Sequence, residues 1–282
     1  DLLGAFVDWA PMCPEVGVGM GAPRPAVRLV GTTEAPRLLA PATGEDWTDR
    51  MNAWSHAHLG RLANLDGFVL KKDSPTCGME RVRIHARGSA RREGVGLFAR
   101  TLRDCLPHLP VEEEGRLHDP LLRENFVVRI FARKRLRETL ARGPRMRDLV
   151  DFHAREKLLL LAHDPAACRD LGRLVANDAR LAPAAVAERY AGRFLAALGR
   201  KATRPRHANV LLHLLGYLKE ALGRADRAEI VEHVGVYQRG LVPLAVPLAL
   251  FRHHFRVYPH EWVSRQAYLD PYPSALMLRN HV

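Results

Sequence analysis

The stretch Gly67-Phe68-Val69-Leu70-Lys71-Lys72-Asp73-Ser74-Pro75-Thr76-Cys77-Gly78 decides how the first half of this chain is read. Its apolar run is too short for a helix and stops at a Ser-Pro turn, the pattern of a buried strand that ends in a loop. Upstream, Ala26-Val27-Arg28-Leu29-Val30 is a second short strand candidate. Between the two, Trp47, Met51, Trp54, His58 and Leu62 recur at three- and four-residue steps, which predicts a helix over 46–63. Residues 94–106 read as another helix, and the Gly- and Pro-rich stretch from Pro14 to Pro23 as loop. Helices alternating with short apolar strands argue for an α/β N-terminal domain with a largely parallel, Rossmann-like sheet.

From Leu121 onward no strand pattern is convincing, and an all-α C-terminal domain is expected. Helix candidates run over 122–142, 147–163, 166–176, 182–199, 206–223, 226–239, 244–256 and 260–268. Asp164 followed by Pro165 reads as an N-cap with proline at the first helical position. The Gly143-Pro144 break places the domain boundary there, giving domains 1–143 and 144–282. The opening DLLGAFVDW begins with Asp1 rather than Met and in mid-helical pattern, so a truncated N-terminus is expected.

The chain has 282 residues, is 47% hydrophobic and carries a formal net charge of +12. That core-forming content excludes wholesale disorder, and the charge favours polyanionic partners, unless it only reflects Arg-rich composition. Residues 145–282 hold 21 Lys and Arg against 13 Asp and Glu, most of the excess. Ahead of them Arg129, Arg133 and Arg137 recur every four residues beside Lys134, opposite Val127, Ile130 and Phe131. Such a stripe is a candidate RNA contact or a solvated helix face. Four cysteines are too few for a disulfide framework. The run Leu241–Phe251 is short and interrupted by Pro243 and Pro247, a buried helix rather than a membrane span. With no signal peptide visible, the reducing cytoplasm is the expected location and no membrane partner is expected.

Chemistry is carried by Cys13, in Pro11-Met12-Cys13-Pro14-Glu15-Val16-Gly17, and by Cys77, in the stretch quoted first. Both sit in turn-forming surroundings with Glu15 and Ser74 within three residues. Loops after strands line the crevice where α/β proteins bind ligands. Two thiolates from separate loops suit a shared metal or iron–sulfur cluster, and the bland alternative is two small buried hydrophobes. Cys105 and Cys168 fall in helical patterns and are expected in the core. Glu112, Glu113 and Glu114 read as a solvated loop or helix cap, with a weaker option that one of them lines a pocket with Arg116. The 14 histidines show no zinc-site spacing and are expected mostly at the surface or at caps.

Longer stretches resemble known families. CPEVGVGMGAPRPAVRLVG (13–31), FVLKKDSPTCGMERVRI (68–84) and GLFARTLRDCLPHLPVEEEGRLHDPLLRENFVVRIFA (96–132) resemble the TudS thiouracil desulfidase family. FHAREKLLLLAHDPAACRDLGRLVA (152–176), LLHLLGYLKEAL (211–222) and YLDPYPSALMLRNH (268–281) resemble the YbgA family. The two in this order are similar to RudS-like desulfidases, which remove sulfur from 4-thiouridine in tRNA. The resemblance implies a [4Fe–4S] cluster held by three cysteines with one iron open to the substrate sulfur. Two of those cysteines match Cys13 and Cys77, and the third belongs to an N-terminal strand–loop motif that this sequence does not contain. It also implies Glu15 as catalytic acid/base, Ser74 as catalytic hydroxyl, hydrolytic release of sulfide, and a helical domain that holds tRNA. Two other readings stay open: a desulfidase of free 2-thiouracil or thionucleosides, and a non-catalytic RNA-binding protein without a cluster.

Overall fold

Arg28–Gly31 (β1) and Pro36–Leu39 (β2) form an antiparallel hairpin, with Leu29 opposite Leu38 and both side chains fully buried. Helix α1 (Pro14–Gly17) is a single turn ahead of them, and α2 (Thr48–Leu62) follows with Met51, Ser55 and Leu62 inward. Then come β3 (Phe68–Leu70), β4 (Val82–Ala86), β5 (Ser89–Gly94), α3 (Leu97–Cys105) and β6 (Val111–Glu113). One sheet has the order β2-β1-β4-β5 and the other pairs β3 with β6. The computed structural model describes residues 3–86, 88–141, 143–176 and 179–282.

The α/β expectation holds for this first unit, but the sheet is mixed rather than largely parallel. Pairings β1–β4 and β3–β6 are parallel, whereas β1–β2 and β4–β5 are antiparallel. Connection length explains the difference. Only Thr32–Ala35 separate β1 from β2, and a parallel return needs a crossover of about a dozen residues or more. The opening segment also departs from expectation: Asp1 and Leu2 lie outside the described residues, and Leu3–Ala5 form one 3-10 turn instead of α-helix. Leu29, Leu38, Met51, Leu70, Phe98 and Leu102 form the centre of the unit's core, each at most 1% exposed.

The chain divides into two compact units, Asp1–His118 and Asp119–Val282. That division falls ahead of the boundary expected at Gly143, because helix α4 (Pro120–Leu140) belongs with the helices that follow it. Asp119 caps α4 by accepting from the Leu122 amide at 2.9 Å, with Pro120 next. Asn125 on α4 donates to the Leu198 carbonyl at 3.1 Å, and Arg135 pairs with the buried Glu156 at 2.6 and 3.0 Å. These bonds tie α4 to α5 (Met146–His163) and α7 (Pro183–Leu198).

The second unit continues with α6 (Pro165–Ala176), α8 (Arg204–Gly216), α9 (Arg224–Gln238), α10 (Ala245–Val257) and α11 (Glu261–Ser264). Its described residues include no strand, as expected of an all-α domain. Asp164 caps α6 through the Ala166 and Ala167 amides, both at 3.1 Å. Phe152, Tyr190 and Phe194 pack ring to ring at its centre. Among the described residues no helix is long and apolar enough to cross a membrane.

Candidate functional site

Strands β3 and β6 run parallel, so their C-terminal ends open on the same edge. From β3 the chain enters the loop Lys71–Gly78; from β6 it passes Glu113 and Glu114. Three carboxylate and backbone bonds join these two exits. Glu114 accepts from the Lys72 amide at 2.7 Å, Glu113 accepts from the Met79 amide at 2.7 Å, and the Glu114 amide donates to the Leu70 carbonyl at 3.1 Å. The expectation of solvated glutamates is thereby corrected. Glu112 and Glu113 are 7% and 2% exposed, because a short parallel strand carries them beneath the loop. Glu112 also accepts from Arg116 Nε at 2.6 Å.

The loop is fixed from its other side by α3. Its carbonyls at Gly78, Pro75 and Thr76 accept from the amides of Gly96, Leu97 and Ala99 at 2.8, 3.2 and 3.1 Å. The first-turn amides of a helix have no partner inside the helix, and here the loop takes them. Gly96 is required at this crossing, since a Cβ there would lie 2.4 Å from the Thr76 carbonyl oxygen. Ser74 closes the loop internally, its Oγ accepting from the amides of Thr76 and Cys77 at 3.2 and 3.1 Å.

Cys13 is the exposed N-cap of α1, and Glu15 sits buried in the single turn that follows. The structure brings Cys13, Glu15, Ser74 and Cys77 together. Glu15 Oε1 accepts from Thr76 Oγ1 at 2.6 Å, and the same hydroxyl lies 2.9 Å from Ser74 Oγ and 3.6 Å from Cys77 Sγ. Glu15 Oε2 accepts from Arg24 Nε at 2.6 Å, while Arg24 Nη2 lies 3.9 Å from Cys13 Sγ. The carboxylate therefore stands between the two thiols, linked to one through Thr76 and to the other through Arg24. Burial pushes the Cys77 thiol up to about 11, reinforced by the Glu15 and Cys13 charges and opposed by its Thr76 and Ser74 hydrogen bonds. A bound cation reverses that balance and favours the thiolate.

Thr76, Arg24 and Gly96 were not singled out from sequence. Thr76 lies inside the Ser74–Gly78 motif and is 0% exposed, so its burial is the signal that sequence lacks. The helix residues Arg129, Arg133, Lys134 and Arg137 belong to the second unit. Arg129 and Arg133 are half-buried, Lys134 pairs with Glu138, and Arg135 beside them is committed to Glu156. One further expectation is corrected. Cys105 is exposed at the last turn of α3, not in the core, while Cys168 is buried. Most histidines are exposed or half-buried, as expected, but His153, His163 and His207 are buried, bonded to Tyr190 Oη, the Arg200 carbonyl and Tyr268 Oη at 3.1, 2.7 and 2.9 Å.

Soft sulfur donors suit an iron–sulfur cluster or a thiophilic ion. Cys13 and Cys77 fit two such ligand positions. Cys105 does not join them: it ends the helix whose first turn meets the loop, about 12 Å along the axis at 1.5 Å per residue. Among the described residues no group of three His, Cys, Asp or Glu side chains is placed to hold a metal ion.

Comparison with known proteins places both units. The family model for 2-thiouracil desulfurase matches residues 1–114, and that for a protein family of unknown function, DUF1722, matches residues 157–273. The "Uncharacterized protein YbgA" of Escherichia coli (strain K12) is 31% identical over 158 residues, 56% of this chain and 94% of that relative. The chain belongs to the YbgA family. Ahead of its YbgA-type part it carries a 2-thiouracil desulfurase-type segment, a fusion of the two. No solved structure matches the chain. The thiol–carboxylate site described above lies wholly within the desulfurase-type segment.

Proposed function

We propose that this YbgA-family fusion is a desulfidase that replaces the sulfur of a thiolated uracil by oxygen, with 4-thiouridine in tRNA as substrate. The observation that carries the proposal is a buried carboxylate, Glu15, standing between two cysteine thiols in a segment that matches the 2-thiouracil desulfurase model. The basic balance of the chain, +12, supports an RNA substrate. The same family model also supports a second reading, in which the substrate is free 2-thiouracil or a thionucleoside.

Cys13 and Cys77 would supply two of the thiolates of a [4Fe–4S] cluster. When bound, that cluster would provide a soft Lewis acid toward the substrate sulfur. The chain's own residues do the rest. A carboxylate accepts at up to about four lone-pair sites. Thr76 and Arg24 occupy one site on each oxygen of Glu15, which leaves the others for a water. Glu15 takes a proton from that water, whose oxygen bonds to the carbon bearing sulfur. The carbon–sulfur bond then breaks, the sulfur leaves as hydrosulfide with a water-derived proton, and a carbonyl remains. No electron is gained or lost overall.

The test is incubation of the anaerobically reconstituted protein with bulk tRNA and with free 2-thiouracil, following nucleosides and sulfide. Loss of 4-thiouridine with matching uridine and sulfide supports the RNA reading. Turnover of 2-thiouracil alone supports the second. No sulfide from either substrate refutes both.

A further inference from the structure

We infer that Thr76 is a positioning residue of this site, through which Ser74 acts on Glu15. The inference rests on the desulfidase reading above and adds to it a residue and a direction of action.

Counting protons and acceptors assigns the direction of the hydrogen bonds. Thr76 Oγ1 has one proton and three close neighbours: Glu15 Oε1 at 2.6 Å, Ser74 Oγ at 2.9 Å and Cys77 Sγ at 3.6 Å. The Thr76 hydroxyl donates its proton in the shortest of these bonds, to Glu15 Oε1. Ser74 Oγ already accepts from the amides of Thr76 and Cys77, so its own proton points to Thr76 Oγ1. The hydroxyl of Ser74 thus reaches Glu15 by way of Thr76.

The backbone of Thr76 does not depend on its hydroxyl. Its carbonyl accepts from Ala99 at 3.1 Å and its amide donates to Ser74 Oγ at 3.2 Å. Replacing Thr76 by the near-isosteric Val removes the link and leaves the loop anchored. Among the described residues, Glu15 would then keep the partly exposed Arg24, on its other oxygen. A carboxylate base released from one of two anchors loses the alignment with its water, which lowers kcat far more than substrate binding.

The test uses full-length, cluster-loaded Thr76→Val, Thr76→Ser, Ser74→Ala and the Ser74→Ala/Thr76→Val pair. Thr76→Val is expected to lower kcat by about 10²-fold with KM changed less than about threefold. Thr76→Ser, which keeps the hydroxyl, should recover kcat to within about fivefold of wild type. The double variant should be no slower than its slower parent, since both act through one link. A second readout needs neither cluster nor turnover. In the metal-free protein, Ser74→Ala and Glu15→Gln should be energetically coupled in urea unfolding, and Thr76→Val should abolish that coupling. If wild type turns over and Thr76→Val matches its kcat, or if Thr76→Ser is as slow as Thr76→Val, the inference is overturned. The same holds if the double variant loses the product of the two single effects, or if the unfolding coupling survives Thr76→Val. A wild type that releases no sulfide fails the desulfidase reading itself.

Discussion

A single methyl group at Gly96 tests whether the loop at the site is as tightly held as its contacts indicate. Gly96 precedes α3 with φ −60° and ψ 145°, a conformation alanine adopts freely, so Gly96→Ala carries no backbone strain of its own. The added Cβ would stand 2.4 Å from the Thr76 carbonyl oxygen, 2.5 Å from its carbon and 2.8 Å from the Cys77 amide nitrogen. Ordinary contact begins near 3.4 Å, so loop and helix must part by about 1 Å. Overpacking of this kind costs roughly 1–3 kcal/mol. A displacement of about 1 Å at a catalytic group is worth on the order of 10²-fold in rate. Gly96→Ala should therefore melt earlier and lose about 10²-fold in kcat/KM toward its thiolated substrate. Gly60 on the exposed face of α2 is the control, with no heavy atom within 4 Å of a built Cβ. Gly60→Ala should stabilise the protein by about 0.5–1 kcal/mol through helix propensity and leave activity unchanged. A Gly96→Ala variant with wild-type melting temperature and kcat/KM would refute the tight crossing.

Three further outcomes are expected. His153 and His163 are held neutral by burial, their pKa values lowered to about 4, so the unfolded chain takes up protons first as pH falls below about 6.5. Stability is present above about 6.5 and declines toward 4, by about 2 kcal/mol per histidine at pH 5; equal urea midpoints at pH 7.5 and 5 would contradict this. Arg135→Ala strands Glu156, 1% exposed, without its cation, and should cost roughly 3–5 kcal/mol in denaturant unfolding, where a loss under about 1 kcal/mol would show the pair to be dispensable. Binding of tRNA should weaken steeply as salt rises from 50 to 200 mM, log affinity falling linearly with log salt, and no binding at the lower salt would remove RNA as substrate.

Strand β3 and helix α2 were legible because their apolar residues keep a clear run or period. Strand β5 was not, since Ser89–Gly94 is exposed at every position but the last and shows no alternation. Its pairing with β4 supplies the structure that its side chains do not announce. Glu112 and Glu113 were misread because carboxylates are ordinarily solvated, and the strand that buries them, Phe68–Leu70, is distant in sequence. Helix α4 was assigned to the wrong unit because a glycine–proline break is a local signal. Its true partners, Leu198 and Glu156, lie far along the chain. Cys13 and Cys77 stood out as cysteines in turns after apolar segments, and the family resemblance pointed to Glu15 and Ser74 beside them. Thr76 and Arg24 did not, because what marks them is contact with Glu15 rather than any spacing.

The most direct measurement is nucleoside analysis of bulk tRNA after incubation with anaerobically reconstituted protein expressed from the complete gene, beside a Glu15→Gln variant of equal iron content. Desulfidase function requires 4-thiouridine to fall, uridine and sulfide to rise in equal amounts, and the variant to be slower by at least about 10²-fold. Unchanged 4-thiouridine with the cluster intact, or equal turnover by the Glu15→Gln variant, would contradict it.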